Sequence, residues 1–309
     1  MTTALFTHLA CLAHNPGSMH PERPARLEAV LNALEAEEFA ALERREAPRA
    51  EKAQVARAHS MAYVEAILDA EPEIGLVGLD PDTYLSPGSG EAALRAAGAV
   101  CAAVDAVMAG EVANAFCAVR PPGHHAEPNR PMGFCLFNNI AVGALQARAA
   151  HGLRRIAVMD FDVHHGNGTQ ARFWDERDLF YVSIHQSPLY PGTGRADERG
   201  IAGNILNVPL PPMAGSAEFR HAMSAAVVPA LNRFAPEFLL VSAGFDGHAG
   251  DPLAGLRYDE DDFAWATGEL MAVAKVHCQG RLVSTLEGGY VLDDLAASAA
   301  AHVRALMAA

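Results

Sequence analysis

The sequence contains no Cys-x-x-Cys pair, and its five cysteines (Cys11, Cys101, Cys117, Cys135 and Cys278) are an odd number. Neither a disulfide framework nor a structural zinc ribbon follows, and the thiols are expected to be buried and reduced. Basic residues are in deficit: 23 Lys+Arg stand against 37 Asp+Glu, a formal charge of −14. Such a surface repels phosphate backbones, which argues against a nucleic-acid partner, and it favours cationic ligands. No apolar run approaches the length of a membrane span, and the N-terminus, Met-Thr-Thr-Ala-Leu-Phe-Thr-His, lacks the basic and apolar regions of a signal peptide. A soluble cytoplasmic protein with no membrane partner is expected. There is no Gly-x-Ser-x-Gly, no Gly-x-Gly-x-x-Gly and no Gly-Lys-Ser/Thr. Serine-elbow, dinucleotide and P-loop chemistries are therefore set aside.

What is present is an ample core. Half of the 309 residues are hydrophobic and 19% are charged, without a linker, internal repeat or low-complexity tract, so a single domain over residues 1–309 is expected. Short apolar β-type runs recur at Ala115 to Val119, Arg155 to Met159, Leu179 to Ile184, Glu237 to Ser242 and Arg281 to Leu286. Between them lie Ala-rich segments of helical length: Arg26 to Glu46, Ser60 to Asp69, Ser89 to Ala109, Asn138 to His151, Ser216 to Phe234, Asp259 to Val276 and Leu292 to Met307. Strand alternating with helix implies an α/β fold with a parallel sheet covered on both faces. Pro and Gly gather just after the strands, at Arg120-Pro-Pro-Gly-His-His, Tyr190-Pro-Gly-Thr-Gly, Gly247 to Gly255 and Glu287-Gly-Gly-Tyr. Loops at strand ends are where active sites are assembled. A long irregular region, about residues 76–87, is expected to form part of a pocket rim.

The densest chemistry lies in Met159-Asp-Phe-Asp-Val-His-His-Gly-Asn-Gly-Thr. Asp162 and His164 alternate at the carboxyl end of an apolar strand, so a carboxylate and an imidazole share one face. That is two thirds of a catalytic zinc site, and the third ligand should come from another strand end while a position stays open for water. Asp246 fits, because Phe238-Leu-Leu-Val-Ser-Ala-Gly-Phe-Asp repeats the pattern of apolar strand followed by acid. His124 and His125, just beyond Pro121-Pro122, are adjacent imidazoles suited to proton transfer, although an isolated loop histidine is more often a surface or packing residue. Asp160 shares the ligand face one layer deeper and could orient an imidazole; the alternatives are a carboxylate satisfied by backbone amides or by a monovalent cation. Tyr290 could donate to a developing oxyanion, although Gly-Gly-Tyr alone is weak evidence. His8, His59, His151, His221, His277 and His302 are read as structural or solvated.

With these residues in view, the chain resembles a class II member of the histone deacetylase and acetylpolyamine amidohydrolase family, from about residue 14 to 300. The motifs are His20-Pro-Glu-Arg-Pro-Ala-Arg-Leu, Arg120-Pro-Pro-Gly-His-His-Ala, Gly133-Phe-Cys-Leu-Phe-Asn-Asn, Asp160-Phe-Asp-Val-His-His-Gly-Asn-Gly-Thr, Ser242-Ala-Gly-Phe-Asp and Leu286-Glu-Gly-Gly-Tyr. The resemblance implies an arginase-like α/β fold with an eight-stranded parallel sheet flanked by helices. It implies Zn²⁺ on Asp162, His164 and Asp246, proton transfer by His124 and His125, and a carbonyl polarised by Tyr290. Asp160 is placed behind His124 and Asn167 behind His125, where class I relatives carry Asp, so His125 should be the less basic ring. Gly133 matches the acceptor of the substrate amide N–H, and Phe134 and Tyr190 match the walls of a narrow tunnel. K⁺ is implied on Asp160, Asp162, His164, Ser183 and the Ile184 carbonyl. Tyr290 stands where class IIa relatives carry His and hydrolyse acetyl-lysine poorly, so an active deacetylase is expected.

The implied partner is an acetylated lysine side chain or an acetylpolyamine. Leu253, where polyamine-selective relatives carry Glu, leans towards acetyl-lysine; Gly88, in place of a polar rim residue, and the −14 charge lean the other way. Family members range from monomers to tetramers, so a homo-oligomer is compatible. A binuclear manganese ureohydrolase would need further aspartates where His165, Asn167 and His248 stand. A non-catalytic acyl-lysine-binding module would be marked by loss of a zinc ligand, of both histidines or of Tyr290.

Overall fold

The computed structural model describes residues 2–308. Ten strands follow in chain order: β1 Thr3–Thr7, β2 Glu43–Glu46, β3 Val77–Asp80, β4 Thr83–Leu85, β5 Asn114–Cys117, β6 Ile156–Asp160, β7 Leu179–Gln186, β8 Ile205–Leu210, β9 Phe238–Ala243 and β10 Leu282–Leu286. Eight of them make one sheet in the order β2-β1-β5-β10-β9-β6-β7-β8, with every pairing parallel. β5, β6, β7, β9 and β10 are buried at every position. Such strands read as continuous apolar runs because helices cover both faces.

The helices carry the expected end signals. Asn138 caps Asn139–His151 by accepting from Ala141 N at 3.0 Å, and Gly152 ends it in the left-handed region at φ +67°. Asp259 caps Glu260–His277 through Asp262 N at 3.1 Å. In the Ala-rich helix Ser89–Met108, Gly98 faces the backbone of Pro48 and Ala50 so closely that a Cβ would collide with it. Small side chains here allow close approach as well as supplying helix propensity.

Three expectations are corrected. The segment Arg26 to Glu46 is not one helix: the helix is Pro24–Ala33, a 3₁₀ turn covers Glu37–Phe39, and β2 occupies Glu43–Glu46. Arg44 Nη2 donates to Leu34 O at 2.5 Å, closing the helix end from the strand. Glu-Arg-Arg-Glu has a helix-favouring composition, but pairing with β1 at the sheet edge overrides it. The region 76–87 is not irregular, since β3 and β4 pair there as an antiparallel hairpin. β1, β2 and β8 were not foreseen. β8 contains Pro209, which an edge strand tolerates because one side of its backbone makes no ladder bonds. The predicted helix Ser216 to Phe234 holds a π-type segment at Met223–Val227.

Candidate active site

β5, β10, β9 and β6 are consecutive neighbours in the sheet, and the segments that leave their carboxyl ends meet at one point. β6 itself stops at Asp160, so Asp162 and His164 lie in the turn beyond it rather than on the strand. Side chains stitch that turn: Asp162 N donates to Asp160 Oδ1 at 3.2 Å, and His164 N to Asp162 Oδ1 at 2.9 Å. Each aspartate thus accepts from the backbone two residues on, and the alternation of the strand continues through the turn.

His164 Nδ1 lies 3.1 Å from Asp162 Oδ1 and 3.1 Å from Asp246 Oδ2. One ligand atom from each of these buried residues falls within 4.8 Å of the others. Further amides steer the remaining oxygens: Gly288 N donates to Asp162 Oδ2 at 2.8 Å and Val163 N to Asp246 Oδ1 at 3.0 Å. A Cβ on Gly288 would run into both carboxylates, and one on Gly244 into Asp162. Two carboxylates and an imidazole in such a cradle suit a catalytic zinc ion. Burial disfavours a charged His164, yet the two carboxylates raise it to about 10; proton and metal compete for the same electronegative space.

His124 and His125 sit beside this triad with ring centroids 4.0 Å apart. His124 Nδ1 meets Asp160 Oδ2 at 3.1 Å, and its Nε2 is 3.8 Å from Asp162 Oδ2. Burial opposes its charging, but Asp162, Asp160 and Glu287 outweigh that and hold it well above the usual imidazole range. His125 Nδ1 meets Asn167 Oδ1 at 2.8 Å, and Asn167 Nδ2 donates onward to Glu127 Oε1 at 2.8 Å. Burial and the neighbouring His124 and His164 hold His125 well below that range. Asp160 is fully satisfied, taking Tyr181 OH at 3.0 Å in addition. Ser183 stands opposite Asp160 in the β6–β7 register, and its hydroxyl bonds His185 Nδ1 at 2.9 Å.

The opening is formed by rings. Phe134 lies 5.9 Å from Tyr290, and Tyr190 lies 5.2 Å from His125 and 6.2 Å from His164, all centroid to centroid. Gly133 and Phe134 both adopt positive φ, +56° and +68°. The β3–β4 hairpin holds them there, with Asp82 Oδ1 accepting from Gly133 N at 3.1 Å and Thr83 Oγ1 from Phe134 N at 3.0 Å. Residues 76–87 do therefore contribute to the rim. A Cβ at Gly133 would strike the His125 ring. Burial pushes the Tyr290 phenol well above its ordinary range, so it is a neutral donor. Leu253 is half-buried on the adjoining loop.

Several supporting groups were not singled out from sequence. Glu287 Oε2 accepts from Gly123 N at 2.6 Å and His124 N at 3.2 Å, while Oε1 takes Ser242 Oγ at 3.0 Å; burial raises its carboxyl to about 7. An acid at the end of a buried strand, as at Asp160, was the available signal. Arg26 donates to Glu287 O and Gly289 O, both at 2.5 Å, and its guanidinium lies 4.8 Å from the Tyr290 ring centroid. Asp251 accepts from Tyr290 N at 2.8 Å and Leu253 N at 3.0 Å, tying the phenol loop to the rim.

The comparisons agree with this geometry. A histone deacetylase domain is recognised over residues 20–306. The chain is 40% identical to histone deacetylase 14, chloroplastic, of Arabidopsis thaliana, covering 98% of this chain and 76% of that protein. It is 43% identical to a histone deacetylase-like amidohydrolase of Pseudomonas aeruginosa, covering 87% and 71%. The crystal structure of the HDA15 HD domain superposes with a TM-score of 0.94 at 35% identity, over 99% of this chain and 88% of that one. Sheet, strand-end cluster and relatives lead to one assignment: this chain belongs to the histone deacetylase family of hydrolases.

Proposed function

We propose that the chain is a zinc-dependent amidohydrolase that converts acetyl-lysine in proteins or peptides to lysine and acetate, with Asp162, His164 and Asp246 as the metal ligands. The observation that carries this reading is the convergence of these three groups beside two imidazoles held in opposite electrostatic environments. Zinc bound there would acidify a water molecule and polarise the acetyl oxygen. His125, neutral and with Nδ1 directed at Asn167 Oδ1, keeps Nε2 free to take the proton of that water and return it to the departing amine. His124, held cationic by Asp162 and Asp160, supplies fixed positive charge next to the reacting carbonyl. Tyr290 donates its phenol proton to the acetyl oxygen as negative charge develops on it.

Phe134 and Tyr190 bracket a linear aliphatic chain, and the Gly133 carbonyl accepts the substrate amide N–H. Leu253 favours acetyl-lysine over a polyamine, whose ammonium group a carboxylate would hold at that position. K⁺ on Asp160, Asp162, His164, Ser183 and the Ile184 carbonyl rests on the family resemblance and on the Asp160–Ser183 register. No described helix is long and apolar enough to cross a membrane; a cytoplasmic location is proposed from composition. Both nitrogens of His165 are engaged, by Thr193 Oγ1 at 2.8 Å and Gln170 Oε1 at 2.9 Å, and His248 Nδ1 lies 3.1 Å from Asp294 Oδ2. These bonds disfavour a two-metal ureohydrolase.

The test is kcat/KM of the zinc-loaded protein on an acetyl-lysine peptide, its trifluoroacetyl analogue, N-acetylputrescine and N8-acetylspermidine, with Asp246→Ala as blank. Turnover of the peptide above the polyamines is expected. A polyamine preference would transfer the assignment to acetylpolyamines, and no turnover of any substrate would leave a binding module.

A further inference from the structure

At the opposite end of the strands from the catalytic cluster, a cavity of about 210 Å³ opens beside the starts of β7 and β8 and the helix Val228–Phe234. Three arginines line it: Arg177, Arg199 and Arg233. Phe180 and Phe234, stacked with centroids 5.0 Å apart, provide an apolar wall. Gly203, at φ +68°, leaves its side open, with nothing within 4 Å of where a Cβ would lie.

Most arginines of this acidic chain are committed to a carboxylate, a carbonyl or a side-chain amide, among them Arg26, Arg45, Arg95, Arg120, Arg148, Arg172, Arg195 and Arg304. Among the described residues, the guanidiniums without a hydrogen-bond or ion-pair partner belong to Arg23, Arg177, Arg199, Arg233 and Arg257, and three of these five residues, all solvent-exposed, line this one cavity. The acids next to them in sequence make their hydrogen bonds and ion pairs elsewhere, although the charge of Arg199 still acts on Asp197. Glu176 pairs with Arg148 and Arg172, Asp178 with Arg154, and Asp197 with Arg195. Glu198 accepts from Gln170 Nε2 at 2.7 Å and Asn207 Nδ2 at 3.4 Å. Of the acids in these two segments, only Asp175 has no partner among the described residues. Arg233 also suits the last turn of its helix, where the dipole favours a cation; Arg177 and Arg199 lie in loops and have no such reason.

We propose that this cavity binds a compact phosphoryl anion, phosphate or pyrophosphate in size, at a site separate from the deacetylase centre. Guanidinium forks match phosphate oxygens bidentately, and three like charges lining one cavity attract a multiply charged anion. The volume lies below the roughly 300 Å³ at which pockets for drug-sized ligands begin, so the anion itself, rather than a large body attached to it, would occupy the space.

The experiment is titration of the zinc-loaded protein with sodium pyrophosphate at fixed ionic strength, followed by calorimetry and ³¹P NMR, with sodium sulfate in parallel. The variants are Arg177→Gln, Arg199→Gln, Arg233→Gln and the three combined. Saturable pyrophosphate binding is expected, weakened about tenfold by each substitution and abolished in the combined variant. Without added anion the variants should keep an unchanged Tm and an unchanged kcat/KM, since the three exposed side chains make no hydrogen bond or ion pair within the protein. Absence of saturable binding to the wild type would overturn the proposal. So would equal affinity in the combined variant, whose intact metal triad would then be holding the pyrophosphate. Equal affinity for sulfate would overturn the phosphoryl assignment.

Discussion

His124 and His125 are adjacent in sequence but face unlike partners, a carboxylate at 3.1 Å and a carboxamide at 2.8 Å. Asp162 and Asp160 stabilise charge on His124, whereas Asn167 offers His125 a neutral oxygen, so His125 is the ring that stays neutral and has a nitrogen free to accept a proton. His125→Ala should therefore lose far more kcat than His124→Ala, measured on the zinc-loaded variants; equal losses would defeat the division of labour. Tyr290→Phe removes an oxyanion donor and should lower kcat by roughly 10²–10³ with little change in KM. An unchanged kcat would take the phenol out of the mechanism. At this scale the sequence was highly legible, because each proposed ligand follows a strand as an acid or an imidazole. Glu287, Asp251 and Arg26 were harder to assign, since their partners are backbone atoms that only the folded chain brings within reach.

The strands and the turns that leave them are the next scale. Five buried strands were readable as apolar runs, while the edge strands β2 and β8 were missed because pairing with a single neighbour and a polar or Pro-containing sequence weaken the pattern, and β1, flanked by β2 and β5, was missed as a run of only five residues at the N-terminus. The turn after β10 shows how little tolerance the site leaves. Gly288 donates its N–H to Asp162 while its missing side chain makes room for two carboxylates. Gly288→Ala should drive the Asp162 and Asp246 oxygens apart and lower zinc content severalfold, readable by elemental analysis of the purified protein. Far-ultraviolet circular dichroism should stay unchanged, because the clash is confined to the strand ends. Full zinc occupancy in that variant would show that the cradle can relax.

For the molecule as a whole, buried ionisable groups couple folding to pH in opposing directions. His302 bonds Thr267 Oγ1 at 2.6 Å and Ser284 Oγ at 2.8 Å, and burial lowers it to about 3; burial likewise lowers His59 to about 4. A folded-state value below the free value of 6.5 gives stability that is present above pH 6.5 and is lost as pH falls towards the folded value. Glu287 and Asp251, both raised to about 7, act in the opposite sense: their contribution is full below the ordinary carboxylate range and fades as pH rises through 7. The difference between wild type and His302→Gln isolates one ring. That difference should shrink by about 3 kcal/mol between pH 7.5 and pH 4, measured by urea unfolding. A constant difference would mean that the ring titrates in the fold as it does in the unfolded chain, as it would if it reached water.

By itself, the sequence determined the α/β class and the parallel sheet and singled out Asp162, His164, Asp246 and the histidine pair as candidates, because each is written locally as strand periodicity followed by a turn that carries an acid or an imidazole. The tertiary structure decided what depends on distance along the chain. It joined Asp246 to His164 across strands, set Asp160 and Asn167 behind different rings, and brought Arg177, Arg199 and Arg233 to one cavity. Asp246, Asp160 and Asn167 acquire their properties from burial and from partners tens of residues away, the three arginines only from a shared cavity, and neither composition nor spacing encodes that proximity.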